Sequence, residues 1–155
     1  MIQGKLVSIH IARTASGPME SLPQARAVPG KGLEGDRYFG AQGTYSATPG
    51  TGREITLLSN EAIEFLEREH GVPLNPGDAR RNLVTRGVAL NDLVGKVFRI
   101  GAVRLKGMRL AEPCEHLEGL TQPGVLKGLV HRGGLRAEFL DEGILRVGDE
   151  ISELE

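Results

Sequence analysis

The sequence is poor in residues that cross-link a chain or stack against rings. Its 155 residues include one cysteine and no tryptophan, and aromatic residues make up only 4%. A single cysteine excludes an intrachain disulfide and an all-cysteine metal site. No apolar run approaches the ~20 residues that span a bilayer, and residues 1–10 lack the basic start and long apolar centre of a signal peptide. We therefore expect a cytoplasmic protein with no membrane partner.

Several common site motifs are also missing. There is no Walker A lysine and no G-x-S-x-G motif, which argues against nucleotidases and serine hydrolases. None of the four histidines is paired at metal-ligand spacing, which argues against a structural zinc site. The pI of about 6.4 is not that of a basic protein, and stacking residues are scarce. We therefore expect no nucleic-acid partner.

Glycine is the residue in excess, at 22 of 155 positions, about twice its usual share. Turns must then be frequent and the elements between them short. A chain of this length is typical of one domain, here residues 1–155. The pattern predicts a mainly β fold, an antiparallel sheet or barrel with a few short peripheral helices. The predicted strands are 5–11, 24–28, 53–58, 82–85, 96–100, 103–110, 134–140 and 148–153, and short helices are predicted at 114–120 and 125–130.

One helix is clearly delimited by the sequence. Ser59 is a good N-terminal cap, Gly71 suits the left-handed residue that ends a helix, and Pro73 prevents continuation. Apolar residues recur between them at helical spacing. Glu64 and Arg68 are four residues apart, so we expect an ion pair between them.

Residues 30–35 match the letters of the dinucleotide-binding fingerprint G-x-G-x-x-G. That fingerprint requires a strand before it and a helix after it. Pro29 interrupts the entry, and residues 36–40 do not have an amphipathic pattern. We expect a loop here, as at 13–20 and 41–52, with glycines that let backbone amides approach an anion.

Charge is distributed unevenly along the chain. Residues 79–109 contain eight basic residues against one acid, Asp92, although the whole chain has a net charge of −1. Arginines outnumber lysines, and arginine binds planar anions through paired hydrogen bonds. An anionic ligand and a solvated strand face are both consistent with this segment.

Cys114 is the leading candidate for a chemically reactive side chain. A lone cysteine is often a small buried apolar side chain. Here it follows a basic strand, at the predicted start of a short helix, and both features stabilise a thiolate. Glu112 and Glu115 oppose that effect unless they point away, and His116 is close enough in sequence to assist.

Five stretches in order resemble those of the molybdenum-cofactor sulfurase C-terminal (MOSC) domain family, in its small stand-alone bacterial form. The resemblance covers nearly the whole chain. The stretches are Gly32-Leu33-Glu34-Gly35-Asp36-Arg37-Tyr38, Arg53-Glu54-Ile55-Thr56-Leu57-Leu58, Gly77-Asp78-Ala79-Arg80-Arg81-Asn82-Leu83, Pro113-Cys114-Glu115-His116-Leu117 and His131-Arg132-Gly133-Gly134-Leu135-Arg136-Ala137.

The resemblance implies a mostly β, barrel-like fold and a role in binding the molybdopterin form of molybdenum cofactor. It implies that Cys114 either ligates the molybdenum or carries sulfur as a persulfide. It also implies that Arg80, Asn82, Arg81 and Arg37 help to hold the pterin or phosphate.

Larger relatives reduce N-hydroxylated compounds, so the resemblance implies an oxidoreductase that removes oxygen from an N–O bond of a small-molecule substrate. Electrons would come from a separate reductase, since one cysteine cannot hold an iron–sulfur cluster, and we expect no pyridoxal phosphate. Two alternatives stay open: a sulfur or cofactor carrier without its own turnover, supplied by a sulfur-donor protein, and a family fold with an unused site. The sequence leaves open whether Glu34, Asp36 and His131 are catalytic or only brace loops.

Overall fold

A ring of short strands dominates the computed structural model, which describes residues 3–13, 18–36, 55–71, 73, 81–110 and 134–153. One α-helix and one short 3-10 helix, Leu90–Leu93, accompany the strands in these ranges. In chain order the elements are β1 Gln3–Ala12, β2 Met19–Leu22, β3 Gln24–Val28, β4 Gly32–Leu33, β5 Ile55–Ser59, α1 Asn60–His70, β6 Leu83–Arg86, β7 Val97–Ile100, β8 Val103–Leu110, β9 Leu135–Phe139, β10 Gly143–Arg146 and β11 Glu150–Glu153.

Seven of the strands close into a barrel. The ring runs β1, β11, β7, β8, β9, β5, β6 and back to β1, and β2 extends it by pairing with the end of β1. A second sheet of β10, β3 and β4 lies beside the ring. All pairs of the ring are antiparallel except β5 and β6, which are parallel. The predicted mainly β barrel is therefore confirmed.

Helix α1 makes the crossover that the parallel pair requires. The Ser59 hydroxyl accepts a hydrogen bond from the Ala62 amide, and Gly71 is left-handed at φ 65°. Both ends of the helix thus lie where the sequence predicted them. The predicted Glu64–Arg68 ion pair is wrong. Glu64 instead contacts Arg86 at 3.5 Å, and Arg68 contacts Glu69 at 3.3 Å.

The barrel interior is filled by alternate strand residues. Leu57, Leu83 and Leu135 belong to one buried core, which contains apolar side chains from most strands of the ring. Leu58 and Val84, the next residues along β5 and β6, are fully buried on the opposite face, where α1 packs on these two strands. The inner core also contains Thr85, whose buried hydroxyl has no hydrogen-bond partner among the residues that the structure describes.

All eight predicted strands are present in the structure. Strands β3 and β8 have the predicted bounds, and the other predicted strands are shifted by a few residues. Strands β2, β4 and β10 were not predicted, and β2 occupies part of the predicted loop at 13–20. The predicted helices at 114–120 and 125–130 lie outside the described residues. No helix within the described ranges has the length and apolar character needed to cross a bilayer.

Gly134 provides a test of the barrel packing. Its φ is 109°, and a Cβ there would overlap the carbonyl oxygen of Leu57 on β5. Gly134→Ala should therefore lower the free energy of unfolding by about 3 kcal/mol or more, from backbone strain plus overpacking. Urea denaturation would measure the loss.

Gly148→Ala is the matched control, because Gly148 also has a positive φ, 97°, but no atom within 4 Å of the added Cβ. It should cost only the strain, about 1–2 kcal/mol. Equal losses in the two variants would show that the contact with Leu57 is not the reason for glycine.

Candidate functional site

Asn82 joins three strands at the start of β6. Its side-chain oxygen accepts hydrogen bonds from the Thr56 amide at 3.2 Å and the Thr56 hydroxyl at 3.1 Å, and its Nδ2 donates to the His10 carbonyl at 3.1 Å. Its backbone accepts from the His10 amide at 2.7 Å. With 1% of its surface exposed, Asn82 has one N–H of its side chain left for another partner.

His10 and Asp36 extend this buried polar cluster along β1. The two ring nitrogens of His10 lie 2.8 Å from the Ser8 hydroxyl and 3.0 Å from the Ser21 hydroxyl. The Asp36 carboxylate accepts the amide of Ala12 at 2.9 Å. Asp36 thus fastens the turn after β4 to the end of β1, which is a bracing role. Glu34 is exposed and pairs with Arg26 at 3.2 Å.

The cluster lies on the outer face of the barrel. Ile9, Leu83 and Leu57 pair across β1, β6 and β5 and point inward. The neighbouring residues His10, Asn82 and Thr56 therefore point outward. All three are nevertheless buried. This is a covered polar surface beside the apolar one under α1.

Of the predicted cofactor-binding residues, Asn82 lies in this surface, and Arg81 is its neighbour in the chain. Arg81 lies two residues before β6 and is 8% exposed. Buried arginines are rare because the guanidinium keeps its charge and needs polar or anionic neighbours. The other predicted site residues, Cys114, Arg80 and Arg37, lie outside the described residues, as do His116 and His131.

Metal-ligating side chains do not cluster in the part of the chain that the structure describes: no three His, Cys, Asp or Glu residues come together there. A metal ligated by Cys114 thus stays a prediction. The donors that the two neighbours Arg81 and Asn82 carry are guanidinium and amide N–H groups, which suit an anion.

The outer face of β7, β8 and β9 holds much of the basic segment. Arg99 lies opposite Arg104, and Arg109 lies opposite Arg136. Asp141 binds Arg104 through two side-chain hydrogen bonds of 2.9 and 3.0 Å and also accepts the Arg104 amide at 3.0 Å. These bonds, the side-chain ones first, lower the pKa of Asp141, and the charge of Arg99 lowers it further.

A family model decides the identity of the fold. The model of the MOSC domain matches residues 43–152, more than two thirds of the chain. The chain belongs to the MOSC domain family. Comparison with curated proteins gives no match.

Solved structures agree with this MOSC fold. The chain is similar to the YuaD protein of Bacillus subtilis, with a TM-score of 0.81 and 20% identity over 97% of this chain and 94% of that one. It is also similar to YiiM of Geobacillus stearothermophilus, with a TM-score of 0.75 and 16% identity over 98% and 75% of the two chains. For YiiM of Escherichia coli the values are 0.68, 15%, 97% and 70%. At these identities the likeness concerns the fold.

The sequence of this MOSC domain did not indicate that His10 and Thr56 lie in the same cluster as Asn82. Their strands are far apart along the chain, and only the pairing of β1, β6 and β5 unites them. The one local signal was the polarity of these two residues. His10 interrupts an apolar strand, and Thr56 lies near the start of another.

Asn82 should matter for stability whatever binds beside it. Asn82→Ala removes the partners of the Thr56 amide and the His10 carbonyl inside a buried cluster. We expect the free energy of unfolding to fall by about 3 kcal/mol, because each unsatisfied buried group costs about 1–3 kcal/mol. Asn60→Ala, at the half-buried first position of α1, should change it by less than about 0.5 kcal/mol. Equal effects in urea denaturation would contradict this account.

The ion pair of Asp141 should make the stability of the fold depend on pH. Because its pKa is lowered in the folded protein, its ion pair stabilises the fold at neutral pH, and this contribution is lost as pH falls through the lowered pKa. Wild type should therefore exceed Asp141→Asn in stability at pH 7. The difference should begin to shrink as pH falls below about 4, the ordinary pKa of an aspartate, and should disappear only below the lowered pKa.

Denaturation midpoints between pH 2 and 7 would measure this difference. Asp92→Asn, an exposed aspartate without an ion pair among the described residues, is the control. A difference between wild type and Asp141→Asn that does not change with pH would refute the assignment.

Proposed function

We propose that this MOSC domain binds the molybdopterin form of molybdenum cofactor and uses it, in the cytoplasm, to reduce small N-hydroxylated molecules. Electrons would come from a separate reductase partner. The observation that carries the proposal is a buried arginine, Arg81, next to the buried Asn82, within a chain of this family.

The chemistry of the described donors fits the cofactor. Its phosphate is anionic, and arginine binds a phosphate through two parallel hydrogen bonds. Asn82 fixes the backbone beside Arg81 through its bonds to β1 and β5. It therefore pre-organises the backbone at Arg81, and its remaining side-chain N–H is the donor it could offer to a ligand.

Chain reach supports a role for Cys114 in the same site. Strand β8 ends at Leu110. The distance from there to the start of β6 is three strand spacings, about 14 Å at ~4.8 Å each, because the cross-strand partners run from Leu110 through Leu135 and Leu57 to Leu83. Cys114 follows Leu110 by four residues, which extend to about 14 Å at most. The thiol is thus within chain reach of the start of β6.

Each predicted site residue would have a separate role in binding the cofactor. Cys114 would lose its thiol proton and hold the metal as a thiolate, which a cationic setting favours. Arg80, Arg81 and Arg37 would hold the phosphate and neutralise its charge. The cofactor, when bound, supplies a metal that takes up and passes on two electrons. In the net reaction the N–O bond breaks, two electrons and two protons are consumed, and an amine and water are formed.

Molybdenum content per chain tests this proposal. Protein from a host that makes the cofactor should contain molybdenum, and Cys114→Ala should contain almost none. Wild type with an electron donor should reduce a hydroxylamino-purine, and Cys114→Ser should not. Equal metal content or equal activity in wild type and variant would refute the role of Cys114.

Arginine variants test the phosphate contacts separately. Arg80→Ala should lower metal retention by about tenfold, the value of one charge-assisted hydrogen bond. Arg146→Ala, an exposed arginine on β10, should not. A wild-type chain without metal but with a sulfur adduct on Cys114 in intact mass spectra would favour the sulfur carrier instead.

A further inference from the structure

A histidine and two serines form a hydrogen-bonded row on the outer face of β1 and β2. His10 lies directly opposite Ser21 in the β1–β2 ladder, and Ser8 is two residues before it on the same face of β1. Nε2 of His10 lies 2.8 Å from the Ser8 hydroxyl, and Nδ1 lies 3.0 Å from the Ser21 hydroxyl. Both ring nitrogens are thus within hydrogen-bond distance of a serine.

This row places His10 to act as a base towards a serine. A neutral imidazole has one N–H donor and one acceptor nitrogen. With the proton on Nδ1, the ring donates to Ser21, and Nε2 accepts the hydroxyl proton of Ser8. A nucleophile beside a base that a third group orients is the arrangement of an activated serine. Such sites are recognised by geometry, so the absence of a G-x-S-x-G motif does not exclude one.

The base of this row is held firmly. His10 is 4% exposed, and its backbone amide and carbonyl both bond to Asn82, at 2.7 and 3.1 Å. Ser8 is half-buried and Ser21 is exposed. Solvent and small molecules therefore reach the hydroxyls while the imidazole stays sheltered. A base fixed in this way needs no ordering during a reaction, which lowers the barrier.

An apolar pocket lies beside Ser8 on the outer face of β1. Its volume is about 400 Å³, and its lining includes Val7, the residue before Ser8, and Val147, which is 46% exposed. Lys5 and Arg86 at its rim are exposed partners in the β1–β6 ladder, which puts the pocket on the outer face. An apolar lining favours a short hydrocarbon chain. Ser8 is thus the hydroxyl of the row with space for such a chain beside it.

We propose that Ser8 is a nucleophile, activated by His10, that accepts short apolar acyl groups from activated esters. Ser8 Oγ bonds to the acyl carbon, the ester C–O bond breaks, and the hydroxyl proton passes through Nε2 of His10 to the departing alcohol. Water then attacks the acyl-serine, with His10 as the base, and the acid is released. Ser21 is a positioning residue for the ring. The site requires neither molybdenum nor Cys114.

The reagent p-nitrophenyl butyrate tests the site in Cys114→Ala protein, which has no thiol to react. Peptide mass spectra should show a butyryl group on Ser8. In His10→Gln the rate of Ser8 acylation should fall about a hundredfold, the lower range of what a general base contributes. Ser152→Ala is the control, because it removes a half-buried serine of β11 and should leave the rate unchanged. No butyryl group on Ser8, or equal loss in both variants, would overturn the proposal.

Variants of Ser21 test the same site without removing a buried side chain. Ser21 is exposed, so Ser21→Ala should fold normally. It should slow the acylation of Ser8 about tenfold, the effect of one lost hydrogen bond to the ring. Ser21→Thr keeps the hydroxyl and should restore the rate. Equal rates of Ser8 acylation in the two variants would overturn the row of Ser8, His10 and Ser21 as the reacting unit.

The length of the acyl chain tests the pocket. Butyrate should acylate Ser8 about tenfold faster than acetate, because each methylene that leaves water contributes roughly fourfold. Val147→Asp places a carboxylate in the pocket lining and should abolish this preference. Val94→Asp, at a similarly exposed valine outside that lining, should keep it. Equal rates for the two esters before substitution would overturn the pocket as the site of the acyl chain.

Discussion

The parallel pairing of β5 with β6 is the constraint on which the rest of the structure depends. Strand direction cannot alternate all the way round a ring of seven, so at least one neighbouring pair must be parallel. In this chain that pair is β5 and β6. Parallel neighbours need a long crossover, and α1 lies in that crossover. Leu58 and Val84 are apolar on the outer face because α1 packs on their strands.

The same pair of strands explains why the polar cluster is where it is. Helix α1 packs on β5 and β6, while Thr56 lies near the beginning of β5 and Asn82 just before β6. Asn82 secures the beginning of the parallel pair and attaches it to β1. A motif that the family resemblance connects with cofactor binding thus also holds the barrel together. The hydrogen bonds of Asn82 also restrict the backbone position of its neighbour Arg81.

Local sequence signals predicted the elements whose geometry is set locally. Ser59 and Gly71 determine the ends of α1 through bonds within a few residues, so both could be read directly. Strand β2 was not predicted because, among the described strands, it pairs with β1 alone and shows no alternation of burial. The Glu64–Arg68 pair failed because Arg86, brought beside the helix by β6, competes for Glu64. The role of Asn82 could not be predicted, since it needs three strands that are distant in sequence. The prediction of molybdenum rests on the family resemblance alone, because composition and residue spacing indicate no more than an anionic ligand.

Closure of the ring relies on a short ladder between β1 and β11, in which Gln3 pairs with Ser152, Gly4 with Ile151 and Lys5 with Glu150. These partners are separated by almost the whole chain, and such contacts are costly in loop entropy and slow to form. A closed barrel has no free strand edges. If this ladder opened, β1 and β11 would both present unpaired backbone groups to other molecules. The ladder at this seam therefore protects the barrel from edge-to-edge aggregation.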